Sequence, residues 1–117
     1  MNPVDLHLQM LSKSMTLRLL RHGVIAGNIA NADTPGYRPQ AVAFEEALQK
    51  AGDKLSPQEL SHVTAKIEVA DDGQPRSDGN TVNLDRQMAS LSQNSILYNA
   101  TAEFIARKFR MIKSVIS

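Results

Sequence analysis

The feature that most constrains the fold is an unbroken series of three- and four-residue steps between apolar positions in the last third of the chain. The series begins at Leu84, ends at Ile116 and has the spacing 4-3-4-3-4-3-4-3-4. Alternating steps of this kind keep one stripe of a helix facing a partner. The series therefore predicts a helix over residues 84–117, about 50 Å long at ~1.5 Å per residue. Only Ser95 among its members is polar, and the full series is Leu84, Met88, Leu91, Ser95, Tyr98, Ala102, Ile105, Phe109, Ile112 and Ile116.

A second apolar stripe lies beside the first on the same predicted helix. Leu97, Phe104, Met111 and Val115 follow one another at intervals of 7, 7 and 4 residues. One partner helix cannot cover both stripes, so the second lies in the middle of a bundle or contacts other subunits. Because the chain offers only one other long helix, we favour contact with other subunits.

That other helix is predicted over residues 1–33. Asn2 suits the N-cap and Pro3 the first helical position. Gly23 and Gly27 lie inside the helix, and each costs about 1 kcal/mol relative to alanine. The two glycines either weaken the helix or permit the close approach of another chain. The apolar stripe consists of Val4, Leu8, Leu11, Met15, Leu19, Ala26 and Ile29, with His22 between its two halves.

The middle of the chain, residues 34–83, is predicted to be small and irregular. Thr34-Pro35-Gly36-Tyr37 ends the first helix in a type II turn, since proline disfavours helix before it and glycine accepts a positive φ. A short helix is predicted over about Phe44–Ala51, another helix start at Ser56, and a short strand within His62–Val69 as part of a β-hairpin. The fold class is therefore mainly α, with two long terminal helices forming an intramolecular coiled coil.

Composition favours helix-on-helix packing in one domain. The chain has 117 residues, only 4% of them aromatic, and no cysteine, which excludes disulfides and thiolate metal sites. A net charge of +1 gives no sign of nucleic-acid binding. The C-terminal end is locally basic, with Arg107, Lys108, Arg110 and Lys113 against Glu103. These cations either complement the helix dipole and solvate the exposed face or form a patch for an acidic partner, a membrane or nucleic acid.

Residues for catalysis are missing from the sequence. His7, His22 and His62 have no recognised metal-ligand spacing, and the adjacent pair Glu45 and Glu46 cannot face each other on a helix. No phosphate-binding loop or nucleophile motif occurs. We therefore predict no catalytic, cofactor-binding or metal site and no small-molecule substrate. Neither a transmembrane run nor a cleavable signal is recognisable, so we expect a cytoplasmic protein or export by another route.

Two strings in the sequence are familiar. Residues 28–38 read Asn-Ile-Ala-Asn-Ala-Asp-Thr-Pro-Gly-Tyr-Arg, and residues 78–88 read Asp-Gly-Asn-Thr-Val-Asn-Leu-Asp-Arg-Gln-Met. With the stretches 44–48 and 94–109, they resemble the bacterial flagellar axial proteins, and among these the small proximal-rod type. The resemblance covers both ends of the chain, whereas the middle is short. The residues that carry the first motif are Asn28, Ile29, Ala30, Asn31, Ala32, Thr34, Pro35, Gly36 and Tyr37.

The resemblance implies a structural role without a cofactor. Such subunits are exported unfolded, without a cleaved signal, through the flagellar type III apparatus and polymerise as the proximal drive shaft across the periplasm. The implied partners are copies of the chain, other rod proteins, the export apparatus and the basal-body base. A soluble helical adaptor or export chaperone of a secretion apparatus is the competing hypothesis. The candidate core and assembly residues are Leu8, Leu11, Met15, Ile29, Leu84, Met88, Leu91, Tyr98, Ile105, Phe109, Ile112 and Ile116.

Overall fold

The computed structural model describes residues 3–54 and 57–116 and is mainly helical. Its elements follow in the order α1 (Pro3–Ala30), β1 (Gln40–Ala43), α2 (Glu45–Asp53), α3 (Pro57–Ser61), β2 (Lys66–Val69) and α4 (Leu84–Ile116). The predicted long terminal helices and the short middle helix are confirmed. The predicted N-cap at Asn2 and the helix start at Ser56 lie outside the described residues.

The two long helices run antiparallel and determine the elongated shape, with extents of 62 × 26 × 15 Å. Near one end of the pair, the side chain of Asn28 on α1 bonds to Gln87 on α4. Further along, the Asn94 amide donates to the carbonyl of Arg18. The first turn of α4 is capped, because the Arg86 N–H donates to Asn83 Oδ1 at 3.1 Å.

The middle region covers one side of α1. Strands β1 and β2 pair antiparallel, with Val42 opposite Ile67, which confirms the predicted two-stranded sheet. The partner of the predicted strand precedes it in sequence, and α2 and α3 lie in the connection. The core between α1 and the middle region is apolar throughout and consists of Leu6, Leu17, Val42, Phe44, Ala51, Leu60 and Val63.

The first helix ends three residues earlier than the predicted residue 33, before the stop signal at residues 34–37. α1 finishes at Ala30, and three turn residues lead to Thr34. Gly36 has φ +74°, and the Tyr37 N–H donates to the Thr34 carbonyl at 3.2 Å, as a turn through Pro35 and Gly36 requires. This turn leads the chain from the helix pair into the middle region.

Candidate assembly surface and the junction of the terminal segments

The face that α4 turns towards α1 is partly polar. Gln87, Asn94 and Thr101 are buried at intervals of seven residues, although they belong to neither predicted stripe. Leu91, Tyr98, Ile105 and Ile112 alternate with them and are half-buried. The face of α4 that contacts α1 is therefore rotated about the helix axis towards these three polar residues. It still includes the half-buried members of the predicted seam.

The outer members of the predicted seam are exposed in the subunit. Leu84, Met88, Phe109 and Ile116 all carry large solvent-accessible fractions, and Phe109 is 58% exposed. On α1, the candidate core residues Leu8, Leu11, Met15 and Ile29 are half-buried. Because α1 and the middle region leave the outer seam uncovered, it contributes little to the core of one subunit.

The second stripe is also exposed. Leu97, Phe104, Met111 and Val115 lie on the surface of α4, and Val115 is 85% exposed. Together with the outer seam, this stripe places large apolar side chains along most of the length of α4. Contiguous exposed apolar surface of this kind marks a protein interaction site. These two sets of residues are called the outer seam and the second stripe below.

A groove at the far end of the helix pair adds to this surface. Its volume is about 540 Å³, and it lies between α1, α3 and α4. Leu8, Leu60, Ile105 and Phe109 supply its apolar lining. Phe109 belongs to both the groove and the outer seam, so the apolar surface continues from α4 into the groove.

At the opposite end of the helix pair, buried side-chain amides connect the helices to each other and to the middle region. Asn28 is fully buried, and its Nδ2 donates to the Gln40 carbonyl at 2.8 Å and to Gln87 Oε1 at 2.9 Å. Its Oδ1 accepts from the Gln40 N–H at 2.9 Å and from the Tyr37 hydroxyl at 3.1 Å. Every polar atom of this side chain therefore has a partner, as burial requires.

Asp72 fixes the orientation of this network. Its Oδ2 accepts from the Asn83 N–H at 2.6 Å and from Gln87 Nε2 at 3.1 Å. Because the Gln87 amino group points at a carboxylate, which only accepts, its Oε1 is left to accept from Asn28. The negative charge also lies at the N-terminus of α4, where the helix dipole stabilises it.

Asn80 joins the two signature segments. It is fully buried, and its Nδ2 donates to the carbonyls of Asn31, Ala32 and Thr34 at 2.9, 3.0 and 2.7 Å. Arg76 also donates to the Ala32 carbonyl and, at 2.7 Å, to that of Val82. The motif of residues 28–37 and the string of residues 78–88 therefore form one junction. In the sequence, the asparagines that both strings contain are the one sign that the two strings meet.

Within the first motif, the remaining residues shape the backbone. Asn31 Nδ2 donates to the Gly27 carbonyl at 2.8 Å, and its Oδ1 accepts from the Thr34 hydroxyl at 3.0 Å. Ala30 closes α1, and Pro35 is exposed in the turn. The motif thus ends α1 and sets the direction in which the chain enters the middle region.

An ion pair holds the middle region on α1 between the two ends. The Arg21 guanidinium donates to both Glu45 oxygens and, at 2.6 Å, to the Val42 carbonyl. It also lies 4.3 Å from the centroid of the Phe44 ring, a cation–π distance. The hydrogen bond from Arg21 lowers the pKa of Glu45 to about 2, with burial opposing the shift.

Three buried polar atoms along the helix pair lack a hydrogen-bond partner among the described residues. They are Asn94 Oδ1 and the Nε and Nη1 atoms of Arg18. Burial lowers the pKa of Arg18, and the nearby Glu45 carboxylate opposes this shift. Unpaired buried atoms lower the free energy of unfolding. The polar part of the contact between α1 and α4 therefore makes the helix pair less stable than an apolar contact would.

Residues 3–54 and 57–116 contain no group of three or more histidine or acidic side chains placed to hold a metal ion. None of the described helices is long and apolar enough to cross a membrane. His22 is exposed beside Asn94 and Tyr98, on the edge of the helix pair.

Comparison with known proteins identifies the family. Residues 10–38 match the sequence model described as "Flagella basal body rod protein". The flagellar basal body rod protein FlgB of Bacillus subtilis (strain 168) is 30% identical over 119 residues, which cover 94% of this chain and 92% of that relative. The chain belongs to the FlgB family of flagellar basal body rod proteins.

Other FlgB proteins match over nearly the full length. That of Escherichia coli (strain K12) is 28% identical and covers 99% of this chain and 96% of the relative. That of Borrelia hermsii is 29% identical and covers 99% of both. The matches thus include the junction, α4 and the middle region. This FlgB-family chain is a structural component of the flagellar basal body rod, where it associates with other basal-body components, and its family is not an enzyme family.

Proposed function

We propose that this chain polymerises through its terminal helices as part of the proximal rod that acts as the flagellar drive shaft. The observation that carries the proposal is the exposed apolar surface of α4. Nine of its large apolar side chains are exposed in the single subunit. At ~25 cal/mol per Å² of buried apolar area, covering such a surface is a strong driving force for association.

Assembly in this proposal completes the folding of the subunit. The face of α4 that contacts α1 within the subunit is partly polar, at Gln87, Asn94 and Thr101. Contact with α1 alone therefore stabilises α4 weakly. Neighbours that cover the outer seam and the second stripe bind only the folded helix pair and therefore stabilise it by mass action. In this scheme, residues 1–33 and 84–117 form the helical wall, and residues 34–83 form the outer part.

The proposed partners are other copies of the chain, other rod proteins, the type III export apparatus and the base of the basal body. We also propose that the protein crosses the export apparatus unfolded, is not cleaved, and spans part of the periplasm as rod. Sequencing the N-terminus of the protein in purified basal bodies tests the export proposal. An intact Met1 or Asn2 is expected, and a new N-terminus further along the chain would contradict it.

The test of assembly is Phe104→Asp in the second stripe, compared with Asn99→Asp on the same helix. Both side chains are exposed, and both changes add one negative charge, so only the loss of apolar surface differs. We expect a deletion strain to lack rods and motility, the Asn99→Asp gene to restore them, and the Phe104→Asp gene to fail. Full motility with Phe104→Asp would contradict polymerisation through this stripe. Intact rods in the deletion strain would favour an adaptor or chaperone.

A further inference from the structure

The turn that follows α1 is bonded to a side chain far along the sequence. Carbonyl groups at and just beyond a helix C-terminus are usually satisfied by nearby residues, and the Asn31 and Thr34 carbonyls do accept from the N–H groups of Thr34 and Tyr37. Here the carbonyls of Asn31, Ala32 and Thr34 accept from Nδ2 of Asn80, which is 46 to 49 residues later. Since an amide group has two hydrogens, at least one of them is shared between carbonyls.

The Asn80 side chain is held from its other side as well. Its Oδ1 accepts from the Val82 N–H at 2.8 Å, and its own N–H donates to Asp78 Oδ1 at 2.9 Å. The side chain is fully buried, so solvent does not replace these bonds. The orientation of the amide is therefore fixed: its oxygen accepts from Val82, and its nitrogen donates to the turn of residues 31–34.

Backbone contacts reinforce the link. The Gly36 N–H donates to the Asp78 carbonyl at 2.8 Å, and the Thr81 N–H donates to that of Tyr37 at 3.2 Å. Gly36 and Gly79 both have positive φ, and a Cβ placed on Gly79 would lie 3.5 Å from the Gly36 Cα. The turn of residues 34–37 thus rests directly on residues 78–81.

We propose that Asn80 positions the turn of residues 31–37, which connects α1 to the middle region. Its amide holds residues 31–37 in their observed conformation, and it does so only when residues 78–82 have reached this turn. The direction in which the chain leaves the helix pair is then set by the meeting of the two terminal segments. Because this coupling lies within one subunit, it stands or falls separately from the proposed polymerisation.

The test is amide hydrogen exchange on the purified full-length protein carrying Asn80→Asp. The variant keeps the size of the side chain but replaces two donors with a carboxylate facing three carbonyl oxygens. We expect exchange in residues 31–38 to rise at least about tenfold at pH 7, because this segment loses its protection locally. Exchange in residues 12–22, in the middle of α1, is expected to stay within about twofold of the unmodified chain.

A pH series separates hydrogen bonding from simple filling of space. Burial against three carbonyl oxygens raises the pKa of the carboxylate introduced by Asn80→Asp, whereas the Arg76 guanidinium, which donates to the same Ala32 carbonyl, lowers it. We expect the effect of burial and of the three oxygens to be the larger one. The penalty of the carboxylate is therefore present above its raised pKa and is lost as pH falls through it. After correction for intrinsic exchange, the excess at residues 31–38 should shrink between pH 7 and pH 5, because protonation restores one donor. Asn80→Leu, which has no donor at any pH, should show no such recovery.

Asn99→Asp, an exposed substitution on α4, serves as the control and should leave exchange at residues 31–38 unchanged. If Asn80→Asp unfolds the chain, Asn80→Ser provides the second measurement, since its hydroxyl keeps one donor. A smaller increase confined to residues 31–38 is expected. Unchanged exchange at these residues, an equal increase along the whole chain, or an excess that does not respond to pH would each overturn the proposal.

Discussion

The two ends of the helix pair differ in how many of their side chains find partners within a single subunit. At the junction end, Asn28 and Asn80 are fully buried, and their side-chain nitrogen and oxygen atoms have hydrogen-bond partners within the chain. At the far end, Phe109, Met111 and Val115 are exposed beside a groove of about 540 Å³. Both ends belong to the same two helices, but only at the junction end do residues 37–40 and 72–83 supply further hydrogen-bond partners.

This contrast explains how one short chain can be both specific in shape and ready to assemble. Buried polar networks specify a unique geometry because every member must find its partner. Apolar surface is less selective but supplies more free energy when it is covered. The junction end thus defines the subunit, and we propose that neighbouring subunits complete the far end.

Ile105→Asp should have the largest effect on this contrast. Ile105 is half-buried in the seam and lines the groove with Leu8, so the new carboxylate would face apolar side chains from both helices. We expect loss of rods and of motility, with a decrease of about 3 kcal/mol in the free energy of unfolding measured with urea. Lys108→Ala on the same helix should change stability by less than about 1 kcal/mol and leave motility intact. Normal rods from Ile105→Asp would contradict a role of the predicted seam in assembly.

Asn28→Ala tests the junction end. The substitution leaves the Gln40 backbone groups, the Gln87 amide and the Tyr37 hydroxyl without their shared partner. Unsatisfied buried groups cost about 1–3 kcal/mol each, with partial relaxation, so we expect a loss of about 2–4 kcal/mol in urea unfolding. Tyr37→Phe removes one of these bonds and should cost about 1 kcal/mol. Equal stabilities for Asn28→Ala and the unmodified chain would show that the network does not define the subunit.

Gly23→Ala and Gly27→Ala sharpen the contrast, because they separate stability from assembly. A Cβ at either position meets no atom within 4 Å, and both lie inside α1. Alanine should therefore stabilise the isolated subunit by about 0.5–1 kcal/mol per site. If neighbouring helices approach these glycines in the rod, motility should fall while thermal stability rises. His7→Ala, at an exposed site on the same helix, is the control that raises helix propensity without filling a glycine position. Unimpaired motility with both glycines replaced would exclude close approach at this face.

Glu45→Gln should have the smallest effect. Arg21 lowers the pKa of Glu45 from 4.5 to about 2, so the pair stabilises the folded state above pH 4.5 and loses this effect as pH falls towards 2. Because the Glu45 side chain is more than half exposed, solvent screening limits the contribution to about 0.5–1 kcal/mol. The difference in unfolding free energy between the two proteins should therefore be present at pH 6 and smaller at pH 3. A difference that grows on acidification would contradict the assigned cause.

Much of the fold follows from local sequence signals. The apolar steps from Leu84 onwards predicted α4, and Pro35 with Gly36 predicted a turn after α1 and its positive φ. These features depend on neighbouring residues and backbone sterics, which a sequence displays directly. The second stripe was also recognisable as more apolar surface than one partner helix covers.

The sequence did not predict which side of α4 faces α1. The apolar pattern pointed to a seam through Leu84, Met88 and Phe109, whereas the subunit buries Gln87 and Asn94. An apolar pattern identifies surface that water disfavours but does not distinguish a partner in the same chain from one in a neighbour. Local sequence signals did not predict the junction either, because the bonds from Asn80 to residues 31–34 span 46 to 49 residues.

Hydrogen exchange of the subunit and of the assembled rod tests the central claim most directly. The claim is that the junction is complete in one subunit and that the α4 surface is completed by neighbours. We predict that amides of residues 28–37 and 80–88 are equally protected in both states, whereas residues 104–116 gain at least about tenfold protection on assembly. Residues 104–116 already fully protected in the monomer, or unchanged between monomer and rod, would contradict the account.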